Sequence, residues 1–268
     1  MESKNRNVWI IVIAILVVAC CGLAAMIGLG GWFVTRSLDL RDLSSFDVGG
    51  INRARIEQTF QVGAAPRLEI DNFAGAITVR PGTDGAVHVI ATKKANSLSR
   101  LDRIQLTMSE QEDGLLIRSR ITPTGANASV DLEITAPVDS RLAIATGAGA
   151  VDVRSITGPI DVRSGAGQVE LRGARGPVGV DLGAGQIIYE GTPSGDCRFN
   201  TGAGEVLLRL PAELQMEVDL GTGVGGVYVD FAVDGVVRPR EVKGVIGDGS
   251  QGSISAHTGV GAVTLRRQ

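Results

Sequence analysis

The sequence has few of the residues from which disulfides, metal sites and catalytic centres are built. Its 268 residues include three cysteines and two histidines. Cys20 and Cys21 lie together in a hydrophobic stretch, which leaves only Cys197 elsewhere and excludes a disulfide framework there. His88 lies in an alternating strand pattern and His257 beside a glycine pair, positions typical of surface residues. We therefore predict no enzymatic activity and no catalytic residues.

An excess of charge of one sign is also missing. The 26 basic and 29 acidic side chains give a formal net charge of -3, so no general basic field attracts nucleic acid. The sequence contains several pairs of glycines separated by one small residue. None of these pairs is followed by Lys-Ser or Lys-Thr, which argues against a phosphate-binding loop. The aspartates near these pairs fall at different points of the repeat, which argues against repeated calcium sites. We predict no cofactor and no metal.

One long segment has no charged residue at all. It runs over residues 8–34 and exceeds the roughly 20 residues that cross a bilayer core. Trp9 and Trp32 lie near its two ends, where aromatic rings favour the membrane interface. The pattern predicts a single transmembrane helix with Val8, Trp9, Trp32 and Val34 as its anchor residues. The alternatives are a cleaved signal peptide and a lipoprotein signal, in which Cys20 would be lipidated.

The flanks of this segment give its expected orientation. Lys4 and Arg6 precede it, whereas Arg36 and Arg41 follow, so the two sides are nearly balanced. We interpret residues 1–7 as a short cytoplasmic head of a signal anchor. Residues 35–65 are then a juxtamembrane stalk with the first strands, and residues 66–268 an extracytoplasmic domain. The predicted localisation is the cell membrane, with a single pass.

A repeat of about 18 residues organises the rest of the chain, which is rich in glycine, with 37 in all. Glycines separated by one small residue recur, and the first glycines of the pairs are 18, 18, 19, 21 and 36 residues apart. Apolar residues alternate on both sides of each pair, which is typical of half-buried strands. The repeat glycines are Gly147, Gly149, Gly165, Gly167, Gly183, Gly185, Gly202, Gly204, Gly223, Gly225, Gly259 and Gly261, with Gly75 in a degenerate early copy.

A unit of this length cannot form a core alone, so neighbouring units must stack. The sequence predicts an all-β fold, a single-stranded β-solenoid resembling a β-helix, with the repeat glycines at turns where positive φ is needed. A small hydroxylated residue often precedes each pair, as at Thr146 and Ser164, and we interpret it as satisfying turn backbone. Cys197 falls in register with Ile160 and Val178, which predicts a buried small side chain.

These features carry a resemblance to a known family. The unit at residues 70–79 and the later Gly-Ala-Gly repeats resemble the bacterial adhesin-like, or toast-rack, family of glycine-rich β-solenoid domains of unknown function. The resemblance covers residues 66–268. It implies an exported or membrane-tethered protein of the cell envelope, sometimes linked to envelope-stress signalling. It implies no catalytic residues.

The functional prediction is a non-catalytic, membrane-anchored binding module of the cell envelope, adhesin-like or associated with envelope stress. Its partner would be an envelope protein or a wall polymer. Two alternatives remain: a carbohydrate-active parallel β-helix enzyme, and a self-associating structural surface protein. The outward positions of the repeats show neither a recurring aromatic nor a recurring acid pair, which disfavours the enzyme. The ligand and the oligomeric state are left open.

Overall fold

The computed structural model describes residues 51–82, 85–122 and 127–268. These residues form an all-β fold in which 18 strands belong to a single mixed sheet system, with one helical turn, α1 (Leu98–Leu101), outside it. The strands are β1 Asn52–Gln61, β2 Arg67–Asn72, β3 Ile77–Pro81, β4 Ala86–Ala95, β5 Ile104–Gln111, β6 Gly114–Ile121, β7 Ala128–Ala136, β8 Arg141–Arg154, β9 Ile160–Ala174, β10 Val178–Gly191, β11 Cys197–Ala203, β12 Val206–Leu210, β13 Met216–Val224, β14 Val227–Val229, β15 Asp234–Arg238, β16 Glu241–Ile246, β17 Ser253–Val260 and β18 Val263–Arg267.

The middle of the sheet is a set of parallel strands. The long strands β8, β9 and β10 pair side by side without offset, so that Val151, Val169 and Ile187 are direct neighbours. β2 and β3 lie next to β8, while β11 and β12 lie next to β10. Beyond them come β17 with β18, and then β13 with β14.

Antiparallel strands flank this set on both sides. At one side β6 and β7 join β2 and β3, and β5, β4 and β1 extend them in antiparallel pairs. At the other side β16 pairs antiparallel with β13, and β15 pairs antiparallel with β16. Of these antiparallel pairs, β5–β6 and β15–β16 are hairpins with a tight connection, whereas β1–β4, β4–β7 and β13–β16 join strands with other elements between them in the chain.

The predicted fold class is therefore corrected. The structure is all-β, but it is not a single-stranded β-solenoid, because the sheet is mixed and its strands do not follow chain order. β17 and β18 lie between β11/β12 and β13/β14. The 36-residue interval between Gly223 and Gly259 contains the hairpin β15–β16. This hairpin is not part of the parallel set, and its strand β16 pairs antiparallel with β13.

The membrane predictions are corrected as well. The predicted transmembrane helix over residues 8–34, with Val8, Trp9, Trp32 and Val34, lies outside the described residues. Within the described ranges no helix has the length and apolar character needed to span a bilayer, and α1 has only four residues. The structure thus gives no support to a single-pass anchor, a signal-anchor helix or a cell-membrane localisation.

The core consists of rows of inward side chains that run across the parallel strands. One row contains Val151, Val169, Ile187 and Val206, all between 0% and 1% exposed. Cys197 is 2% exposed, which confirms the prediction that it is buried. Burial raises the pKa of its thiol to about 11, so the thiolate that would react is disfavoured.

In β8, β9 and β10 the repeat glycines lie inside the strands, whereas Gly75, Gly204, Gly225 and Gly261 lie between consecutive strands. In β8 the inward residues have even numbers up to Thr146 and odd numbers from Val151 onward. Because strand side chains alternate with period two, such a change of parity requires an irregular residue between them. Gly149 is that residue, with φ +138°. A Cβ on Gly185, the equivalent glycine of β10, would lie 1.7 Å from the carbonyl oxygen of Gly167 on the neighbouring strand.

Candidate functional site

The glycine pairs divide the outward surface of the parallel strands into two faces. We call the outward residues before the pairs the leading face, which includes Ala143, Asp161 and Gly179 in one row. Those after the pairs form the trailing face, which includes Asp152 and Glu170 in one row. The in-register pairing makes each row straight, so the chemistry of each face can be read across neighbouring strands.

Charges on the trailing face neutralise one another. Arg80 and Arg154 both contact Asp152, with nitrogen–oxygen distances of 2.9 and 3.1 Å. Partial burial raises the pKa of Asp152, but hydrogen bonds from Arg80 and Arg154 and their charges outweigh it, and the pKa lies below its usual value. Further ion pairs on this face are Arg172–Glu170 and Arg209–Glu190. This face carries little free charge with which to recruit a ligand.

The leading face contains an open groove of about 760 Å³. The groove is deepest at Ala143 and Gly179, which have a small side chain and none, whereas the arginines that line it have long side chains. The charged residues of the lining are four arginines and two aspartates, a net formal charge of +2 on a chain whose net charge is -3. They are Arg67, Arg141, Arg163, Arg198, Asp161 and Asp196.

Arg67 and Arg141 are the distinctive pair in this groove. They are direct neighbours on β2 and β8, and both are exposed. No acidic side chain in the described ranges forms an ion pair with either one. Like charges directly opposite each other on adjacent strands destabilise a sheet. A carboxylate or phosphate between the two guanidinium groups would remove that repulsion, because the planar fork of arginine binds both groups in bidentate fashion.

The other two arginines are only loosely held. Arg163 lies 3.2 Å from Asp161, and Arg198 lies 3.2 Å from Asp181. Both arginine side chains are more than half exposed, at 67% and 56%, and ion pairs in such positions contribute little. These guanidinium groups can therefore turn toward a ligand at small cost.

Among the described residues that line the groove, the groups with catalytic potential are Asp196 and Cys197 beside the paired Asp161. Asp196 accepts a hydrogen bond from the Ser253 hydroxyl at 2.8 Å, and Cys197 lies buried beneath the surface. His88 lies elsewhere, 3.1 Å from Glu57. His257 lies 3.6 Å from Asp219 in a second, smaller pocket of about 440 Å³.

The second pocket offers less than the groove. Asp219 is shared between His257 and Lys243, whose Nζ lies 3.2 Å away, and all three side chains are exposed to between 43% and 64%. The carboxylate of Asp219 already contacts the Lys243 ammonium group and the His257 ring, so it has partners without a ligand. Across the residues that the structure describes, no group of three or more His, Cys, Asp or Glu side chains could hold a metal ion.

The arginines of the groove were missed by the sequence reasoning, which singled out the repeat glycines and the predicted anchor residues. The structure gives positive φ to Gly75, Gly149, Gly167, Gly185, Gly204, Gly225 and Gly261. The first glycines of the pairs, such as Gly147 and Gly165, do not have positive φ, but they also lie close to the backbone of the neighbouring strand. Arg67 and Arg141 share one position, directly before the first inward residue of their repeats, and aligning that position would have revealed them.

Comparisons with known proteins give similar structures only. No family model and no curated protein sequence matches the chain. A provisionally named cell adhesion protein from Clostridium sporogenes has 15% identity and a TM-score of 0.47, covering 80% of this chain and 100% of its own. A provisionally named adhesin from Bacteroides fragilis has 13% identity and a TM-score of 0.31, covering 80% and 97%. A provisionally named lipid binding protein from Parabacteroides distasonis has 9% identity and a TM-score of 0.26, covering 80% and 96%. Membership of the toast-rack family stays a prediction.

Proposed function

We propose that this protein is a non-catalytic, adhesin-like binding module that holds an acidic surface polymer in the groove of the leading face. The observation that carries the proposal is the adjacency of Arg67 and Arg141, two exposed guanidinium groups on neighbouring strands that form no ion pair with a described residue. The trailing face, where arginines and carboxylates are paired, supplies the contrast.

The dimensions of the groove favour an extended ligand over a small one. Arg67 lies on β2, Arg163 on β9 and Arg198 on β11. The order of neighbouring strands is β2, β8, β9, β10 and β11, so β2 and β9 are two strand spacings apart, and so are β9 and β11. At about 4.8 Å per spacing, the basic groups cover roughly 19 Å across the strands. Arg163 is in register with Ala145, and Arg198 is in register with Ala143, so both lie further along their strands than the pair Arg67 and Arg141. A polymer with regularly placed carboxylate or phosphate groups can contact several of them at once.

An enzymatic use of the groove is the weaker candidate. A glycosidase needs two carboxyl groups that flank the scissile bond, with one of them able to act as a general acid. In the groove Asp161 is paired with Arg163, and Asp196 accepts a hydrogen bond from Ser253. No aromatic side chain of the described residues lines the groove to stack on a sugar ring.

The experiment measures binding of the full chain to polygalacturonate, with dextran as the uncharged polymer and polyglutamate as the acidic peptide. We expect binding to polygalacturonate that weakens as salt is added, and none to dextran. Replacing both Arg67 and Arg141 with Ser should weaken binding about tenfold or more, since each charge-assisted hydrogen bond contributes about 1.5–3 kcal/mol.

The matched control is Arg266→Ser, which removes one exposed arginine of the trailing face. It should leave affinity within about twofold of the unmodified chain. If the loss of binding free energy per arginine removed were as large in the control as in the double variant, only overall charge would matter, and a specific groove would be contradicted. Binding to polyglutamate but not to polygalacturonate would contradict an acidic polysaccharide as the ligand and would indicate an acidic protein partner instead.

A further inference from the structure

The strand β15 is an open edge of the sheet. It pairs antiparallel with β16, and no strand of the described ranges pairs with its other side. All five of its residues are exposed, including Val236 at 42% and Val237 at 65%. Proteins commonly protect an edge strand with lysine, proline or a bulge, because its free N–H and C=O groups can pair with another chain. The strand Asp234–Arg238 contains neither lysine nor proline.

The apolar interior continues onto this edge without a cover. Leu220 on β13, Val242 on β16 and Val237 on β15 are successive neighbours in one row. The first two are 0% and 1% exposed, whereas the third is 65% exposed. A row of core side chains thus ends on an unpaired strand, which is the arrangement that one more strand would complete.

The charges of β15 identify the strand that fits. An antiparallel copy of β15 related by a twofold axis through Val236 would place Asp234 opposite Arg238 of the second molecule, and the reverse pair would form by symmetry. On the same face the two Val236 side chains would meet, and on the inward face Val237 would pass over Gly235, which leaves room for it. A parallel in-register copy would instead place like charges opposite each other.

We propose that β15 is a self-association edge, at which two copies of this chain pair their β15 strands antiparallel about an axis through Val236. The strand is short, so the contact buries less than the roughly 1,200 Å² of a standard stable interface. The dimer is therefore weak and forms as concentration rises. It uses a different part of the sheet from the groove and does not depend on the proposed binding function.

The test exchanges the charges of β15. Arg238→Asp would place aspartates opposite each other at both symmetry-related positions, which should raise the dissociation constant of the dimer about tenfold. Combining it with Asp234→Arg restores opposite charges across the axis, and affinity should return to within about threefold of the unmodified chain. Arg238 also lies 3.1 Å from Glu241 within its own hairpin, and the double variant does not repair that pair. Recovery therefore reports on the contact between molecules.

Sedimentation velocity of the full chain over a series of concentrations measures the association. Val236→Lys should also weaken it, because two ammonium groups would meet on the axis. Val260→Lys is the control, since Val260 is 56% exposed but lies on β17. Circular dichroism establishes that every variant is folded. A monomer at all concentrations, or a double variant no tighter than Arg238→Asp, would overturn the proposal.

Discussion

Replacing Gly185 with Ala tests whether the parallel array depends on close approach of neighbouring backbones at the repeat glycines. Gly185 lies within β10 at φ +134°, a conformation that side chains with a Cβ rarely adopt. The new Cβ would lie 1.7 Å from the carbonyl oxygen of Gly167 and 2.8 Å from its carbonyl carbon. Both contacts are with backbone, so no flexible side chain can move aside, and β9 and β10 would have to separate.

The expected loss of stability has two contributions. The backbone conformation costs about 1–3 kcal/mol for a residue that is not glycine. Separating the strands near Gly167 weakens one or two main-chain hydrogen bonds, each contributing about 1 kcal/mol. The free energy of unfolding should fall by about 2–5 kcal/mol, a large part of the roughly 5–15 kcal/mol that holds a typical domain together.

Gly179→Ala in the same strand is the matched control. Its φ is ordinary, and a Cβ there would meet only the Asp161 carboxylate at 3.8 Å. Since glycine in a strand costs roughly 0.5–1 kcal/mol relative to alanine, this variant should be neutral or slightly more stable. Urea unfolding followed by circular dichroism measures both variants. Equal stability of Gly185→Ala and the unmodified chain would refute the argument that glycine is required for close approach of the strands.

Three further predictions concern the interior and the trailing face. Thr146 Oγ1 is buried without a hydrogen-bond partner among the described residues, so Thr146→Val should raise the unfolding free energy by about 1 kcal/mol, as read from urea unfolding. A thiol reagent should modify Cys197 only after denaturation, because the thiol is buried and its pKa is raised; peptide mass mapping after native labelling would expose an error. The folded-state pKa of Asp152 is lowered, so its contribution to stability is present above the unfolded value near 3.8 and is lost as pH falls through the folded value. Thermal unfolding of Asp152→Asn should therefore show a weaker pH dependence between about pH 5 and pH 2.

The inward rows of the core could be predicted from the sequence because two periodicities coincide. Alternation with period two selects Val151 and Val153 as inward, and the 18-residue spacing then brings Val169 beside Val151 and Ile187 beside Val169. The interpretation of the small hydroxylated position is confirmed at Ser164 but is wrong at Thr146, whose Oγ1 has no partner among the described residues. Ser164 donates a hydrogen bond to the carbonyl of Ala166 two residues later, at 3.3 Å, so it satisfies local backbone.

The order of the last strands could not be predicted, because the competing repeats have equivalent patterns. Val227 on β14 and Val263 on β18 both follow a Gly-Val-Gly segment, and either fits beside Val206. The structure places Val263 there and Val227 beyond it. That choice depends on the β15–β16 hairpin, which pairs with β13 and occupies its free side. No local pattern in the sequence encodes a competition between distant strands.

The groove escaped prediction for a related reason, since outward positions are not selected by burial. Any polar residue is compatible with an outward position of a strand, and only the observed register shows that Ala143, Asp161 and Gly179 fall in one row. The same close backbone approach at the glycine pairs that fixes the register also fixes the spacing of the arginines. A slip of one residue would turn each side chain to the opposite face. The guanidinium groups are therefore presented from rigid strands at set intervals, and the groove should select its ligand by the spacing of anionic groups.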